Sequence, residues 1–272
     1  MAFEEMFNAM KDQFTAKIGI ALSGGGARGM AHIGVLRALL ELGIEPGIVS
    51  GASAGSIVGA LYAAGLPPSR MREFVESASL LRAIKPGMST KGLISLSYLR
   101  QHLAEYIPED SFEALRLPLS IAVCNLHSGK TEIVESGKLF EAVMASSAIP
   151  LVFNPVEMNG QMYVDGGLLT NLPAQALRPR CQVLIGVNLM PEVELPPGKF
   201  KGMMSWAAIA TRCFQLSVVQ NSRADLEVCD HVIEPEGIDR YHVFQFGKLD
   251  ELEEIGYRTT MAMASQLSGS SF

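Results

Sequence analysis

Apolar positions along the chain fall into short continuous runs separated by stretches of helical spacing. Residues 17–23, KIGIALS, form one such run, ending in three glycines, and suit a buried strand. RGMAHIGVLRALLELG follows. It places Met30, Ile33, Val35, Leu36, Leu39 and Leu40 near helical spacing and stops at Gly43. PGIVSG predicts the next strand and SIVGALYAAG the next helix. This alternation predicts a parallel sheet with right-handed crossovers. Residues 67–117 change character: their apolar positions are mainly helical between glycine and proline breaks, which marks them as a pocket wall or cap. LPLSIAVCNL (117–126), KTEIVES (130–136), CQVLIGVNL (181–189) and CDHVIEP (229–235) predict further strands. Residues 140–147, 201–222 and 248–267 predict helices. Asn159-Gly160, between two strand-like runs, predicts a hairpin. The sum is an α/β fold with a mostly parallel central sheet.

Composition narrows the class. The 272 residues are 48% hydrophobic and 18% charged, ample for one large core. A net charge of −6 argues against non-specific nucleic-acid binding, which needs a basic face. The amino terminus, MAFEEMFNAM, carries glutamates where a secretion signal needs basic residues. No window reaches the roughly 18 apolar residues of a membrane span. Cys124, Cys181, Cys213 and Cys229 are widely spaced, without a C-x-x-C pair, and read as reduced buried thiols in a cytoplasmic protein rather than as disulfides or a zinc site. Proline-rich 65–69 and 191–199 are too short for linkers, so one domain is expected.

Three glycine motifs stand at strand ends. GGGARG (24–29) joins the first strand to the first helix. Its backbone N–H groups, backed by a helix N-terminus, can hold a phosphate or an oxyanion. The letters also satisfy G-x-G-x-x-G. A dinucleotide site would want an acidic residue near the end of the second strand, and that strand ends in SGASAG. GASAG (51–55) is a Gly-x-Ser-x-Gly elbow that presents Ser53, with Gly51 and Gly55 letting the chain turn tightly. One crossover separates the two motifs, so both emerge at the carboxyl edge of a parallel sheet.

A serine nucleophile needs a base. The order Ser53, Asp165, then His231 or His242 satisfies an α/β-hydrolase triad on paper, but neither histidine sits in a recognisable catalytic loop. His32 follows the glycine loop and reads as its support. The third motif, YVDGG (163–167), ends a strand with Asp165 and turns on Gly166 and Gly167. That aspartate is a turn residue in isolation. At the same sheet edge as Ser53 it becomes a candidate base that bonds the hydroxyl directly. An acid limb without a step near ~6.5, where histidine titrates, is then expected.

These three motifs, in this order, resemble those of the patatin-like phospholipases, and the resemblance runs from about Lys17 to Leu267. ASSAIPLVFNPVEMNGQMYVDGGLLTNLP, including Pro150 and Asn171-Leu172-Pro173, is similar to the family's approach to its aspartate. The resemblance implies a three-layer α/β/α sandwich and cleavage of fatty-acyl esters of phospholipids, lysophospholipids or simpler lipids. It implies Ser53 as nucleophile and Asp165 as general base. Gly25, Gly26 and the Arg28 region would form the oxyanion hole, within the motif bounded by Gly24 and Gly29. It implies no metal or other cofactor. Acyl transfer on the same dyad, and a non-catalytic lipid-binding protein of the same fold, are the alternatives.

About 15 residues precede the first strand. Phe3, Phe7, Met10 and Phe14 share one helical face, so residues 1–16 predict an amphipathic extension to a hydrolase domain at 17–268. Docking on the protein's own surface or a twin subunit, giving a homodimer, is favoured over insertion into a lipid surface, because Glu4, Glu5 and Asp12 oppose anionic headgroups. KFKGMMSWAAIATRCF (199–214) is a second candidate for lipid contact, although such a helix is more often core. The expected location is the cytoplasm, with peripheral contact at the inner membrane surface left open.

Overall fold

The structure is a computed structural model that describes residues 16–77, 96–194 and 206–268. The expected amino-terminal helix therefore lies outside the described residues, as do 78–95 and the first part of the 199–214 segment. The strands are β1 (Ala16–Leu22), β2 (Ile48–Gly51), β3 (Leu119–Asn125), β4 (Lys130–Val134), β5 (Val156–Met158), β6 (Gln161–Asp165), β7 (Cys181–Val187) and β8 (His231–Ile233). They form one sheet in the order β5-β6-β3-β2-β1-β7-β8, with β4 also on β3. The run from β3 to β8 is parallel, as the strand–helix alternation predicts, and β4, β5 and β6 pair antiparallel. Asn159 and Gly160, both at positive φ, close the β5–β6 hairpin with Met158 opposite Gln161.

Residue parity along the strands creates the layers. Ile18, Ile20 and Leu22 of β1, Val49 of β2, and Ile185 and Val187 of β7 enter one large core. Ala21, Ile48 and Leu184, one step out of phase, enter a smaller core on the opposite face with Leu172, Ala174 and Leu177. The large core is closed by α1 (Met30–Glu41), α2 (Ala54–Ala63), α3 (Pro68–Ser77), α4 (Ser97–Tyr106), α5 (Leu139–Ser146) and α8 (Leu249–Ala262). On the chain between β7 and β8 lie α6 (Trp206–Asn221) and α7 (Arg223–Glu227). The expected closing helix breaks at Met263, and α9 (Ala264–Ser268) follows it. The result is a three-layer α/β/α sandwich.

Two features set the frame of the site. Helices α1 and α8 approach backbone to backbone: a Cβ on Gly34 would lie 1.9 Å from the Glu253 carbonyl oxygen, and one on Gly256 would lie 2.1 Å from that of Ala31. The buried Glu253 carboxylate receives Arg37 from α1 at 2.5 Å and Arg72 from α3 at 2.7 Å, tying three helices together. The second feature is β3. Its residues Leu119–Ile121 pair with β2, and Val123–Asn125 pair with β6, while β4 takes the opposite edge of Ile121–Asn125. A strand has only two hydrogen-bonding edges. So β2 and β6 share one edge of β3, and their carboxyl ends meet head to head.

Candidate active site

That meeting brings Ser53, two residues beyond β2, and Asp165, the last residue of β6, into one place. Beyond Gly51 the chain turns through Ser53, which sits at φ 51°, ψ −122°. This is a sparsely populated region for a side-chain-bearing residue, so surrounding bonds must hold it. The Ser53 N–H donates to Ser146 Oγ at 2.9 Å, and Ser146 Oγ donates to the Ala122 carbonyl at 2.7 Å, anchoring the elbow to β3. The Ser53 carbonyl accepts from Ser56 Oγ at 2.7 Å. Small residues are obligatory beneath the turn. A Cβ on Gly51 would lie 2.4 Å from the Gly55 carbonyl oxygen, and one on Gly55 would lie 2.1 Å from that of Leu22. Ser146 is a functional support that the motif reading missed, because its role exists only across the fold.

Asp165 ends β6 and is almost completely buried. Its Oδ1 accepts from the Gly167 N–H at 2.8 Å. Burial pushes its carboxyl up to about 7, against the opposing pull of a side-chain hydrogen-bonding contact from Ser53 and of the Gly167 N–H. The expectation of an acid limb distinct from histidine is thereby corrected. Loss of solvation moves this carboxyl into the range where histidine normally titrates.

The glycine loop stands opposite. Gly24 N–H donates to the Asn171 carbonyl at 3.1 Å and Ala27 N–H to the Val243 carbonyl at 2.7 Å. The N–H groups of Gly25 and Gly26 donate to no acceptor among the described residues. Gly26 is at φ 58°, and a Cβ there would lie 2.3 Å from the Val243 oxygen, so only glycine fits. Gly29 packs on Ala54 at the start of α2. Arg28 departs from expectation. Its guanidinium donates to the carbonyls of Tyr241 (2.8 Å), Leu189 (2.9 Å) and Asp239 (3.3 Å), so it braces the loop and does not line the cavity beside Ser53.

His32 is fully buried, with Nε2 2.8 Å from the Ser23 carbonyl oxygen. A carbonyl only accepts, so the proton is on Nε2, and desolvation pushes the ring down to about 4. It supports the loop as a neutral ring. His242 lies beyond the cavity wall, where Nδ1 accepts from the Phe244 N–H at 3.2 Å. His231 starts the edge strand β8. None of the three lines the cavity described next.

Ser53, Asp165, Gly24, Gly25, Gly26 and Asn171 all line one cavity of about 350 Å³. Its remaining wall is mainly apolar, from Leu151, Val152, Leu168, Phe214, Val218 and Phe244. A second apolar cavity of about 70 Å³ shares Gly26, Ser53, Ile149 and Phe244 with the first and runs on to Ile57 and Leu99. The helical region 67–117 thus supplies part of a pocket wall through Leu96 and Leu99. Ala210, Cys213 and Phe214 of α6, which line this cavity, belong to the 199–214 segment marked as a candidate for lipid contact, whereas the wall from Val243-Phe244 carried no legible signal. All four cysteines are free, and Cys213 is exposed on the cavity wall rather than buried. Among the described residues, no cluster of His, Cys, Asp and Glu could hold a metal ion, and no helix is long and apolar enough to cross a membrane.

A serine on a sharp strand-to-helix turn and a buried acid meet at the carboxyl edge of the sheet of a three-layer sandwich. The family model for patatin-like phospholipases matches residues 20–178, and the chain belongs to that family. An uncharacterised NTE family protein of Mycobacterium tuberculosis is 35% identical over 163 residues, covering 58% of this chain and 44% of the relative. The mouse patatin-like phospholipase domain-containing protein 7 is 27% identical over 282 residues, covering 89% of this chain and 20% of the relative. The chain therefore spans less than half the length of these relatives. Among solved structures, VipD from Legionella pneumophila superposes with a TM-score of 0.54 at 16% identity, over 88% of this chain and 67% of VipD, a likeness of fold.

Proposed function

We propose that this protein is a serine lipid acyl hydrolase that cleaves fatty-acyl esters of phospholipids or lysophospholipids through a Ser53–Asp165 dyad. The observation that carries the reading is the buried Asp165 carboxyl, held near neutrality beside the Ser53 hydroxyl on the wall of an apolar cavity. A carboxylate at its ordinary pKa is a poor base for a hydroxyl, and one raised toward the working pH is a far better one. Asp165 takes the Ser53 proton as Oγ attacks the ester carbonyl. The free N–H groups of Gly25 and Gly26 receive the developing oxyanion. Asp165 then returns the proton to the departing alcohol oxygen, leaving Ser53 acylated. Water repeats the sequence and releases the fatty acid.

Cavity size supports a lipid chain. An apolar cavity of about 150 Å³ holds one benzene, so by the same packing about 350 Å³ takes on the order of a dozen carbons. Exposed Leu151, Leu169, Ile209 and Leu216 flank residues of the cavity wall, and this rim would face the lipid surface that supplies the substrate. The test is fatty-acid release from diacyl phospholipid vesicles, lysophospholipid and a short-chain aryl ester, run beside Ser53→Ala. Release by the wild type alone supports the reading, and the ratios rank the substrates. Equal release by Ser53→Ala would overturn it. Cleavage of the aryl ester only would favour acyl transfer to another acceptor.

A further inference from the structure

Phe244 borders both cavities at Ser53, and the catalytic steps leave it unused. The large cavity, about 350 Å³, and the small one, about 70 Å³, have Gly26, Ser53, Ile149 and Phe244 in common. Residues that line two neighbouring cavities stand where the two meet, so the apolar space divides beside the nucleophile. Ile149 and Phe244 are the apolar side chains at that junction, and Phe244 is the larger and only half-buried. Its backbone is held without help from the ring. The Ala27 N–H donates to the Val243 carbonyl at 2.7 Å, which ties the loop to the glycine motif. The Gln245 N–H donates to the His242 carbonyl at 2.9 Å, and the His242 N–H to Gln245 Oε1 at 3.1 Å, so the turn closes on itself. Arg28 grips the Tyr241 carbonyl just upstream at 2.8 Å. The Phe244 ring lies against that of His242, with centroids 5.6 Å apart. None of these hydrogen bonds uses the ring, so it can be replaced with the turn left in place.

We propose that Phe244 is a specificity-determining residue: its ring separates the two cavities and thereby limits the length of acyl chain that Ser53 accepts. This rests on the Ser53–Asp165 reading. With the ester carbonyl at the Gly25 and Gly26 N–H groups, the acyl chain lies in the large cavity, which takes about a dozen carbons. Each methylene that reaches an apolar wall is worth about fourfold in kcat/KM, and one left in water adds nothing. Removing the ring frees room for roughly six carbons. The small cavity then joined to the first adds about three more, against Ile57, Leu96 and Leu99. A larger ring at the same place shortens the space instead. The direction of the change therefore follows the volume of the side chain, which a merely structural role would not produce.

The experiment is hydrolysis of p-nitrophenyl esters from butyrate to stearate, all in the same detergent micelle, by wild type, Phe244→Ala and Phe244→Trp. Fluorophosphonate labelling of Ser53 counts the competent sites. For the wild type, kcat/KM should climb with chain length and level off near about twelve carbons. Phe244→Ala should carry the climb on by about four carbons or more, raising the ratio of stearate to laurate cleavage by roughly 10²-fold over wild type. Phe244→Trp should level off earlier than wild type. Profiles that differ only by a constant factor, on protein that labels at Ser53, overturn this proposal alone. Should Phe244→Ala fail to fold, Phe244→Leu carries the same comparison. Wild type that neither labels at Ser53 nor releases nitrophenolate would refute the dyad reading, and this proposal with it.

Discussion

Replacing Asp165 by asparagine should abolish turnover and at the same time stabilise the protein, by an amount that grows as pH rises above about 4 and is complete above about 7. The carboxyl rises from 3.8 in the unfolded chain to about 7 in the fold, with desolvation as the main cause. Between those values the native state binds a proton that the unfolded state has released. Stability therefore falls as pH rises through this window, and the full penalty is present above pH 7. Each pH unit of difference is worth 1.36 kcal/mol, so the charged Asp165 costs the fold up to about 4 kcal/mol at pH 8. Asparagine removes the charge while its Oδ1 still accepts from Gly167 and its Nδ2 can donate to Ser53 Oγ. The assay is urea or thermal unfolding of both proteins at pH 4 and pH 8, beside ester hydrolysis. The expected outcome is a clear gain for Asp165→Asn at pH 8 that vanishes at pH 4, with turnover lower by about 10²–10⁴-fold. An equal stability difference at both pH values would refute the burial argument. A variant that keeps most of its rate would refute the base.

Other outcomes follow from the same geometry. In the wild type, kcat/KM should fall about tenfold per pH unit below about 7, as Asp165 takes up its proton; His32→Gln should leave that limb in place, because the neutral ring of His32 titrates near 4. Ser146→Ala orphans the Ser53 N–H and the Ala122 carbonyl, so a loss of about 1–3 kcal/mol in chemical unfolding should accompany a drop in kcat as the elbow relaxes. Gly34→Ala must drive a methyl into the Glu253 carbonyl and part α1 from α8. Thermal melts should show a loss of about 3 kcal/mol or more, with Ser53 labelling retained at low temperature.

Much of the fold could be read from local pattern, because periodicity and turn chemistry act between near neighbours. The run KIGIALS, the helix from Met30 and the Asn159-Gly160 hairpin each took the form that their spacing predicts. The glycines at 24–26, 51 and 55 were visible as well, since a residue without Cβ is demanded by contacts that recur at any sharp strand-to-helix turn. Less could be seen where a residue's meaning lies in a distant partner. Arg28 looked like part of an oxyanion hole and proved to be a brace, because its acceptors at Leu189, Asp239 and Tyr241 are supplied by remote loops. Ser146 and Asn221 look like ordinary helix residues until β3 and the Asp165 turn come beside them.

The sequence by itself determined the alternation of strands and helices and the three sharp turns that offer Ser53, Asp165 and the loop N–H groups. Tertiary structure alone decided that β2 and β6 end head to head on one edge of β3, which is what sets the serine beside the acid. It also decided the chemistry of that acid, since a carboxyl's pKa depends on how far water has been removed from it, and desolvation is a property of the whole packed environment rather than of the letters around Asp165.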